Sequence, residues 1–479
     1  MHKGSCLCGK VKYEYRGEIG EVSMCHCKPC RSPDPCRWLR FGCWAARGYW
    51  LRSEDPTTIE NNDMARKTLG SVFLAAALCH ASAALALPDG EGRETVEAVC
   101  AACHGVNLIE RSSGYSRDDW EYLTSTMIDL SGDAARQDEI LDYLAEHFPP
   151  SDNRAATPAD GPLRLQIEEW KVPTLGQRSR DPVEAPDGSI WWVGQWLDIL
   201  GRLDPETSEM QEFDLPSGAR PHSVNIGPDG AAWYTGNRNA TMGRFDPDSG
   251  EISEYPMPEE AARDPHTAEF AADGTLWFSL QQSNMIGRLD PQTGEVQVVP
   301  SPRERSRPYG LKVAEDGTVW VSCNGANCLL RVDPETMEVS EIPLPEAGTT
   351  VRRLDIDADG IIWWVNSGLG RLGRYDPDTG DIQEWDSPSG PDSHPYAIAV
   401  FDGAVWYNES GVRPDMLVRF DPQTEDFQSW PIPSGPVYAG ILRHMRTTLD
   451  GEALLIHQSG TNHIARVSVE DNGAAEAAE

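Results

Sequence analysis

Residues 221–250 read PHSVNIGPDGAAWYTGNRNATMGRFDPDSG and residues 265–294 read PHTAEFAADGTLWFSLQQSNMIGRLDPQTG. The two align without a gap, with Pro-His, Asp-Gly, Trp, Gly-Arg and Ser/Thr-Gly in step. The unit returns about every 43 residues, a spacing in the range of propeller blades. Further copies open near Pro182, Pro308, Arg352, Pro395 and Ala439, making seven. Within each, Asp-Gly reads as a hairpin turn, the Trp stretch as a buried strand, Gly-Arg as a third strand and Asp-Pro-x-Thr-Gly as a second turn. Seven copies of a four-strand unit predict a mainly β chain folded as a seven-bladed β-propeller over residues 163–470. The last copy stops after its third strand near Val469, while Leu163 to Val172 reads like the fourth strand of the others. An N-terminal strand that completes the last blade leaves no open sheet edge.

Upstream of the repeat, Asn153 to Pro162 is rich in Ala, Pro and Asp and reads as a linker. Residues 87–150 read as a small all-α domain. Ser116 is placed as an N-cap before Arg117-Asp118-Asp119-Trp120. Trp120, Leu123, Met127 and Leu130 form one apolar face, and a last helix from about Asp133 carries Ile140, Leu141, Leu144 and Phe148. Within this domain stands Cys100-Ala101-Ala102-Cys103-His104. C-x-x-C-H lets two thiols add across the vinyl groups of a haem while the adjacent imidazole ligates its iron, so covalent haem c is expected on Cys100, Cys103 and His104. Met127 is the expected sixth ligand and His147 the alternative.

Arg66-Lys67, the apolar run from Leu69 to Leu78, and Ala84-Leu85-Ala86 match an export signal with cleavage after Ala86. The run is too short to span a bilayer comfortably. Such a signal acts at a translated N-terminus, so Met64 is the expected start, with an uncleaved signal anchor as the competing reading. The expected location is periplasmic or otherwise exported, with no stable membrane span. Residues 471–479 are expected to be a disordered tail.

The chain has 12 cysteines, and Cys323 and Cys328 are the pair left beyond the haem motif, which suggests a disulfide in an exported protein. Residues 87–479 carry 29 basic against 68 acidic side chains. That field repels nucleic acid and anionic membranes, so no nucleic-acid partner is expected.

Three resemblances follow from these motifs. The run from Cys100 to Phe148, with Asp119-Trp120, Met127 and Tyr143-Leu144, is similar to single-haem cytochrome c domains of periplasmic dehydrogenases. Gly4-Ser5-Cys6-Leu7-Cys8-Gly9 and Cys25-His26-Cys27-Lys28-Pro29-Cys30 resemble the opening of the glutathione-dependent formaldehyde-activating family. That resemblance implies Zn²⁺ on Cys6, Cys8, Cys25, Cys27 and Cys30; residues 1–63 are otherwise a start-site artefact. The blades resemble virginiamycin B lyase, in which a Mg²⁺-assisted elimination opens a cyclic depsipeptide. The resemblance implies His266 as general base, His222 beside the metal, and Asp264 as one carboxylate ligand. The second carboxylate position holds Gln281, a poorer ligand for a hard cation.

The position seven residues before each Asp-Gly varies while the turns stay fixed: His222, His266, Tyr309 and Arg352, with Tyr396 and His444 at the nearest equivalents. These residues predict a pocket at the propeller mouth for a small-molecule substrate or a redox partner protein. Three functions compete. In the first, the haem exchanges electrons with a substrate or partner at the propeller. The second is a Mg²⁺-dependent C–O lyase, and the third a binding propeller without catalysis.

Overall fold

The structure, a computed structural model, describes residues 2–5, 12–15, 87–100, 106, 108–109, 114–150, 154–435 and 442–470. The signal pattern at 64–86, the cysteines Cys6, Cys8, Cys25, Cys27 and Cys30, the motif residues Cys103 and His104, and the tail 471–479 lie outside them. The chain divides into two units, 1–80 and 81–479. In the first, the described residues form two antiparallel strands, His2–Ser5 and Lys12–Tyr15.

Seven four-stranded antiparallel sheets make up the propeller. Their innermost strands meet in sequence, and the last sheet packs on the first. Closure follows the expected route: Leu165–Lys171 pairs with His463–Val469, with Leu165 opposite Val469 and Lys171 opposite His463. The second strand of each blade is buried, and its alternating side chains reach opposite neighbours. Trp233 joins the core shared with the third blade, while Tyr234 joins that shared with the first. Trp277 and Phe278 divide in the same way between the fourth and second blades. Burying such a side chain contributes about 1.5–3 kcal/mol, and the repeat supplies one or two per blade.

The Gly of Gly-Arg, kept in four of the seven blades, is explained by register, while Leu330, Val418 and Ala465 take its place in the others. Gly243 lies opposite Tyr234, and a Cβ there would stand 2.0 Å from the ring. Gly201 under Trp192 and Gly373 under Trp364 are equally tight, at 2.1 and 2.3 Å. The following Arg covers the next aromatic, as with Arg202 at 5.8 Å from the Trp191 ring, and closes onto the Asp of Asp-Gly, here Asp187 at 2.6 Å.

The helical segment has α1 (Arg93–Cys100), α2 (Arg117–Ser125) and α3 (Ala134–His147). Ser116 caps α2 through a capping box with Asp119, and Asp133 caps α3. Val96, Trp120, Leu123, Ile140 and Leu144 form their common core. Because α2 ends at Ser125, Met127 and Leu130 fall in the turn beyond it rather than on its apolar face. The stretch expected to be a linker is a strap along the sixth blade. Ala155 bridges to Arg413, Ala159 N–H donates to Ser429 Oγ at 2.8 Å, and Gln428 Nε2 donates to the Leu163 carbonyl at 2.9 Å.

The disulfide expected between Cys323 and Cys328 is not formed. Both are free thiols buried in the core between the third and fourth blades, packing as small apolar side chains beside Val321 and Leu330. Burial, reinforced by Cys328, keeps the Cys323 thiol far above its ordinary range, so it stays protonated.

Candidate functional site at the propeller mouth

Each of the first six innermost strands carries a register shift near its start, as between Pro265 and Ala268 in the third blade. There His266 and Thr267 together oppose one residue, Ser279. A bulge of this kind re-aims side chains, and here it brings both residues of the pair into contacts across the channel. A small polar residue on the second strand secures it. Thr267 N–H donates to Ser279 Oγ at 3.3 Å, and Ser279 Oγ–H donates to the Tyr309 carbonyl of the next blade at 2.6 Å. Thr235 and Ser322 repeat the arrangement.

The same bond identifies equivalent positions. His444 N–H donates to His457 Nε2 as Ser223 N–H donates to Thr235 Oγ1, so His444 matches Ser223 and Arg443 matches His222. In the first blade the innermost strand begins at Ser179, not Pro182, which makes Arg180 the equivalent residue. The ring is therefore Arg180, His222, His266, Tyr309, Arg352, Tyr396 and Arg443. His444 is placed one residue deeper. Arg180 and Arg443 were missed, although counting seven back from Asp187-Gly188 and Asp450-Gly451 reaches both.

Four of the seven side chains form a run of contacts, His222, His266, Tyr309 and Tyr396. The His222 and His266 rings lie 3.5 Å apart, His266 and Tyr309 4.1 Å, and Tyr309 and Tyr396 6.2 Å with their hydroxyls in a short hydrogen bond. Arg352 and Arg443 stand over the Tyr396 ring at 4.9 and 5.3 Å. One level down, Arg353 Nη1 donates to Thr267 Oγ1 at 2.9 Å, and Asp181 stands 3.2 Å from His444 Nδ1 and 3.9 Å from Arg353 Nη2.

The electrostatics sort these groups. Burial, with Arg180 next, pushes His222 well below the ordinary imidazole range, and burial with Arg353 does the same to His266, so both are neutral. His222 Nδ1 lies 3.1 Å from the His266 carbonyl oxygen. A carbonyl only accepts, so Nδ1 carries the proton and Nε2 keeps its lone pair. Burial opposes ionisation of Tyr396, but the guanidinium charges of Arg443 and Arg352 outweigh it and bring the phenol down to about 7. Burial and the neighbouring Tyr396 raise Tyr309 to about 12.

Along the loops of the first three blades, an open cleft of about 840 Å³ is lined by Gln195, Trp196, Arg220, Arg238, Arg263 and Asp264 among others. Asp264 is outside the ring. Its carboxylate accepts the N–H groups of Gln282 at 2.7 Å and Ser283 at 3.3 Å, and burial raises it to about 6. Gln281 sits in the same hairpin, half-buried. With the Asp264 oxygens spent on their own loop, Asp264 and Gln281 do not fit a Mg²⁺ site. Among the described residues no three His, Cys, Asp or Glu side chains gather as metal ligands.

On the helical segment, Cys100 ends α1 and Met127 follows α2, both partly buried against the same core. His147 is packed against Tyr143, with ring centroids 4.4 Å apart, and against Gly90, where a Cβ would stand 2.2 Å from Nε2. The turn at Met127 meets the propeller. Gly176 N–H and Asn462 Nδ2 donate to the Thr126 carbonyl at 3.1 and 2.6 Å, and Thr126 Oγ1 donates to the Gly460 carbonyl at 3.2 Å. Among the described residues no helix is long and apolar enough to cross a membrane.

Residues 161–419 match the virginiamycin B lyase family, and residues 1–47 match the glutathione-dependent formaldehyde-activating enzyme family. No curated protein matches the chain. Among solved structures, virginiamycin B lyase from Staphylococcus aureus is 21% identical, with a TM-score of 0.58, covering 64% of this chain and 99% of that one. A streptogramin B lyase structure is 22% identical, with a TM-score of 0.57, covering 64% and 98%. A catalytically inactive His-to-Ala variant of the Staphylococcus aureus enzyme with quinupristin is 22% identical, with a TM-score of 0.57, covering 64% and 99%. At these identities the likeness is one of fold.

Proposed function

The chain belongs to the virginiamycin B lyase family, and from that premise we propose an exported c-type haem protein whose propeller mouth binds a substrate or redox partner. The observation that carries this reading is the seam at Thr126. The turn bearing Met127 is hydrogen-bonded to Gly176, and the chain runs from there through Gln177 and Arg178 to Arg180 of the ring. A redox group on the helical segment is thereby tied to the loop that enters the mouth.

The described part of the helical segment fits a covalent haem. Cys100 and Met127 bring a thiol and a thioether to one apolar core, and Cys103 and His104 complete the attachment motif. Such a group supplies one-electron chemistry, and Met/His ligation favours a high potential. The propeller's own residues bind and orient. Arg352 and Arg443 hold charge beside Tyr396, and His222 Nε2 is free to take a proton.

A second reading, elimination as in the family's namesake, is favoured by the adjacent neutral imidazoles of His222 and His266. Its proton removal would rest on these side chains rather than on Asp264 or Gln281.

Production in a host with c-type haem maturation tests both. The expected result is covalent haem and its rapid reduction by one member of a substrate panel. A protein without covalent haem that opens a depsipeptide sinks the first reading and selects the second.

A further inference from the structure

We propose that the propeller mouth is a binding site for a small organic acid, with a carboxylate taken by its arginines and the organic part laid on its aromatic rings. The proposal rests on the reading that the mouth receives a substrate, and it assigns that substrate's charge.

The chain has a net charge of −35, yet its mouth is cationic. The cleft wall carries Arg220, Arg238 and Arg263. Its acid, Asp264, is already bonded to the backbone of its own hairpin. The ring adds Arg180, Arg352 and Arg443, with Arg178 near them, its guanidinium 4.8 Å from the Trp196 ring of the cleft. Burial lowers Arg178, and the neighbouring charges of Arg443 and Arg180 lower it further. The acid beneath the ring is Asp181, and it is shared between His444, Arg353 and Arg180.

Arg180 supplies the independent observation. It is 2% exposed, and its Nη1 donates to Gln195 Oε1 at 2.8 Å, which joins it to the cleft lining. Its Nε and Nη2 have no hydrogen-bond partner, and the nearest carboxylate oxygen, on Asp181, stands 3.6 Å from Nε. Leaving charged donors unmet in a buried site is costly, and a guanidinium with unspent N–H groups matches a carboxylate.

The rings identify the rest of the ligand. Trp196 lines the cleft and offers its ring to a ligand there, while the buried rings of His266, Tyr309 and Tyr396 pack beside the guanidinium groups of the ring. A planar or short-chain acid uses both features; a neutral amide of the same shape uses only one.

Calorimetric titration of the full-length protein with benzoate, succinate, benzamide, phenyl phosphate and inorganic phosphate tests this. Benzoate or succinate is expected to bind, more weakly as salt rises, and benzamide at least tenfold more weakly than benzoate. Arg352→Ala and the cleft-wall change Arg220→Ala should each weaken carboxylate binding at least tenfold. The Arg220 variant, with its thermal midpoint checked, covers the case in which the deeper change harms folding. Benzamide binding as well as benzoate, no carboxylate binding, or no effect of either variant overturns the proposal. Tighter binding of both phosphate probes than of the carboxylates overturns the carboxylate assignment. Carboxylate binding by a protein that no substrate reduces leaves this proposal standing and removes the redox reading. Haem reduction by a neutral substrate that benzoate does not inhibit does the reverse.

Discussion

The ring of His222 lies 3.5 Å from that of His266, and its Nδ1 stands 3.1 Å from the His266 carbonyl oxygen. One hydrogen bond between neighbouring blades therefore sets the tautomer of a neutral imidazole and leaves Nε2 as an acceptor. His266 Nδ1 meets Thr267 Oγ1 at 3.0 Å, a hydroxyl that can donate or accept, so its tautomer is less tightly set.

From this, His222→Ala and His266→Ala are both expected to lower turnover by about 100-fold or more, the scale of a lost acid–base group. The His222 change should also flatten the acid limb of the pH–rate profile. Unchanged turnover in both variants, measured under saturating substrate, would move the chemistry away from the mouth.

Tyr396 is expected to ionise near neutrality. Absorbance at the tyrosinate band should show one phenol titrating at about 7, well before the others, and Tyr396→Phe should remove that step. Tyr309→Phe, which takes away the hydroxyl that bonds the Tyr396 oxygen, should move the step upward. A titration with no step below pH 9 counts against the arginine cage.

Acid should destabilise the fold through its buried histidines. His222 and His266 are held well below 6.5 by burial, and burial also brings His394 to about 4 and His457 to about 3. A depressed folded-state pKa means the unfolded chain binds more protons as pH falls. Stability is thus full above about 6.5 and is lost below it, by roughly 1.4 kcal/mol per histidine for each pH unit until the folded-state value is reached. Asp264, raised by burial to about 6, gains a proton in the opposite sense and reduces the slope. Urea midpoints that do not fall between pH 7 and 5.5 would contradict this balance.

Gly243→Ala should destabilise the second blade by about 1–3 kcal/mol, because the new methyl meets the Tyr234 ring at 2.0 Å. The same substitution at Gly380, a turn with no atom within 4 Å of the new Cβ, costs only the strain of its φ of 81°. Thermal midpoints of the two variants separate packing from backbone strain.

Met127→Ala is expected to leave haem attached while removing the weak near-infrared band of thioether-ligated ferric haem. Asn462→Ala deletes a bond to the adjacent Thr126 carbonyl and should leave that band intact while loosening the helical segment, visible as faster amide exchange at Thr126. Survival of the band without Met127 would end that ligand assignment.

The propeller was legible because its signals are local and repeated. Asp-Gly must turn and the strand after it must be buried, so seven copies of one pattern imply seven like sheets and a strand to close them. The N-cap Ser116 was readable for the same reason, since a capping bond spans only three residues. The ring at the mouth was only partly legible. His222, His266, Tyr309, Arg352 and Tyr396 stood out against the repeat, while Arg180 was hidden by a first blade that opens three residues before Pro182.

By itself the sequence determined the blade count, the strand order, the closing strand and the helix cap at Ser116, because each depends on neighbours within one hairpin or one turn. Tertiary structure alone decided which side chains face one another across the channel. Bulges turn two successive residues toward it, seven strands distant in sequence converge there, and burial beside Arg352 and Arg443 sets the charge of Tyr396. The same long-range packing decided that Cys323 and Cys328 remain thiols and that residues 155–163 strap the sixth blade. Such contacts carry no mark in local pattern, since the partners are set by where the ring closes and not by what stands next in the chain.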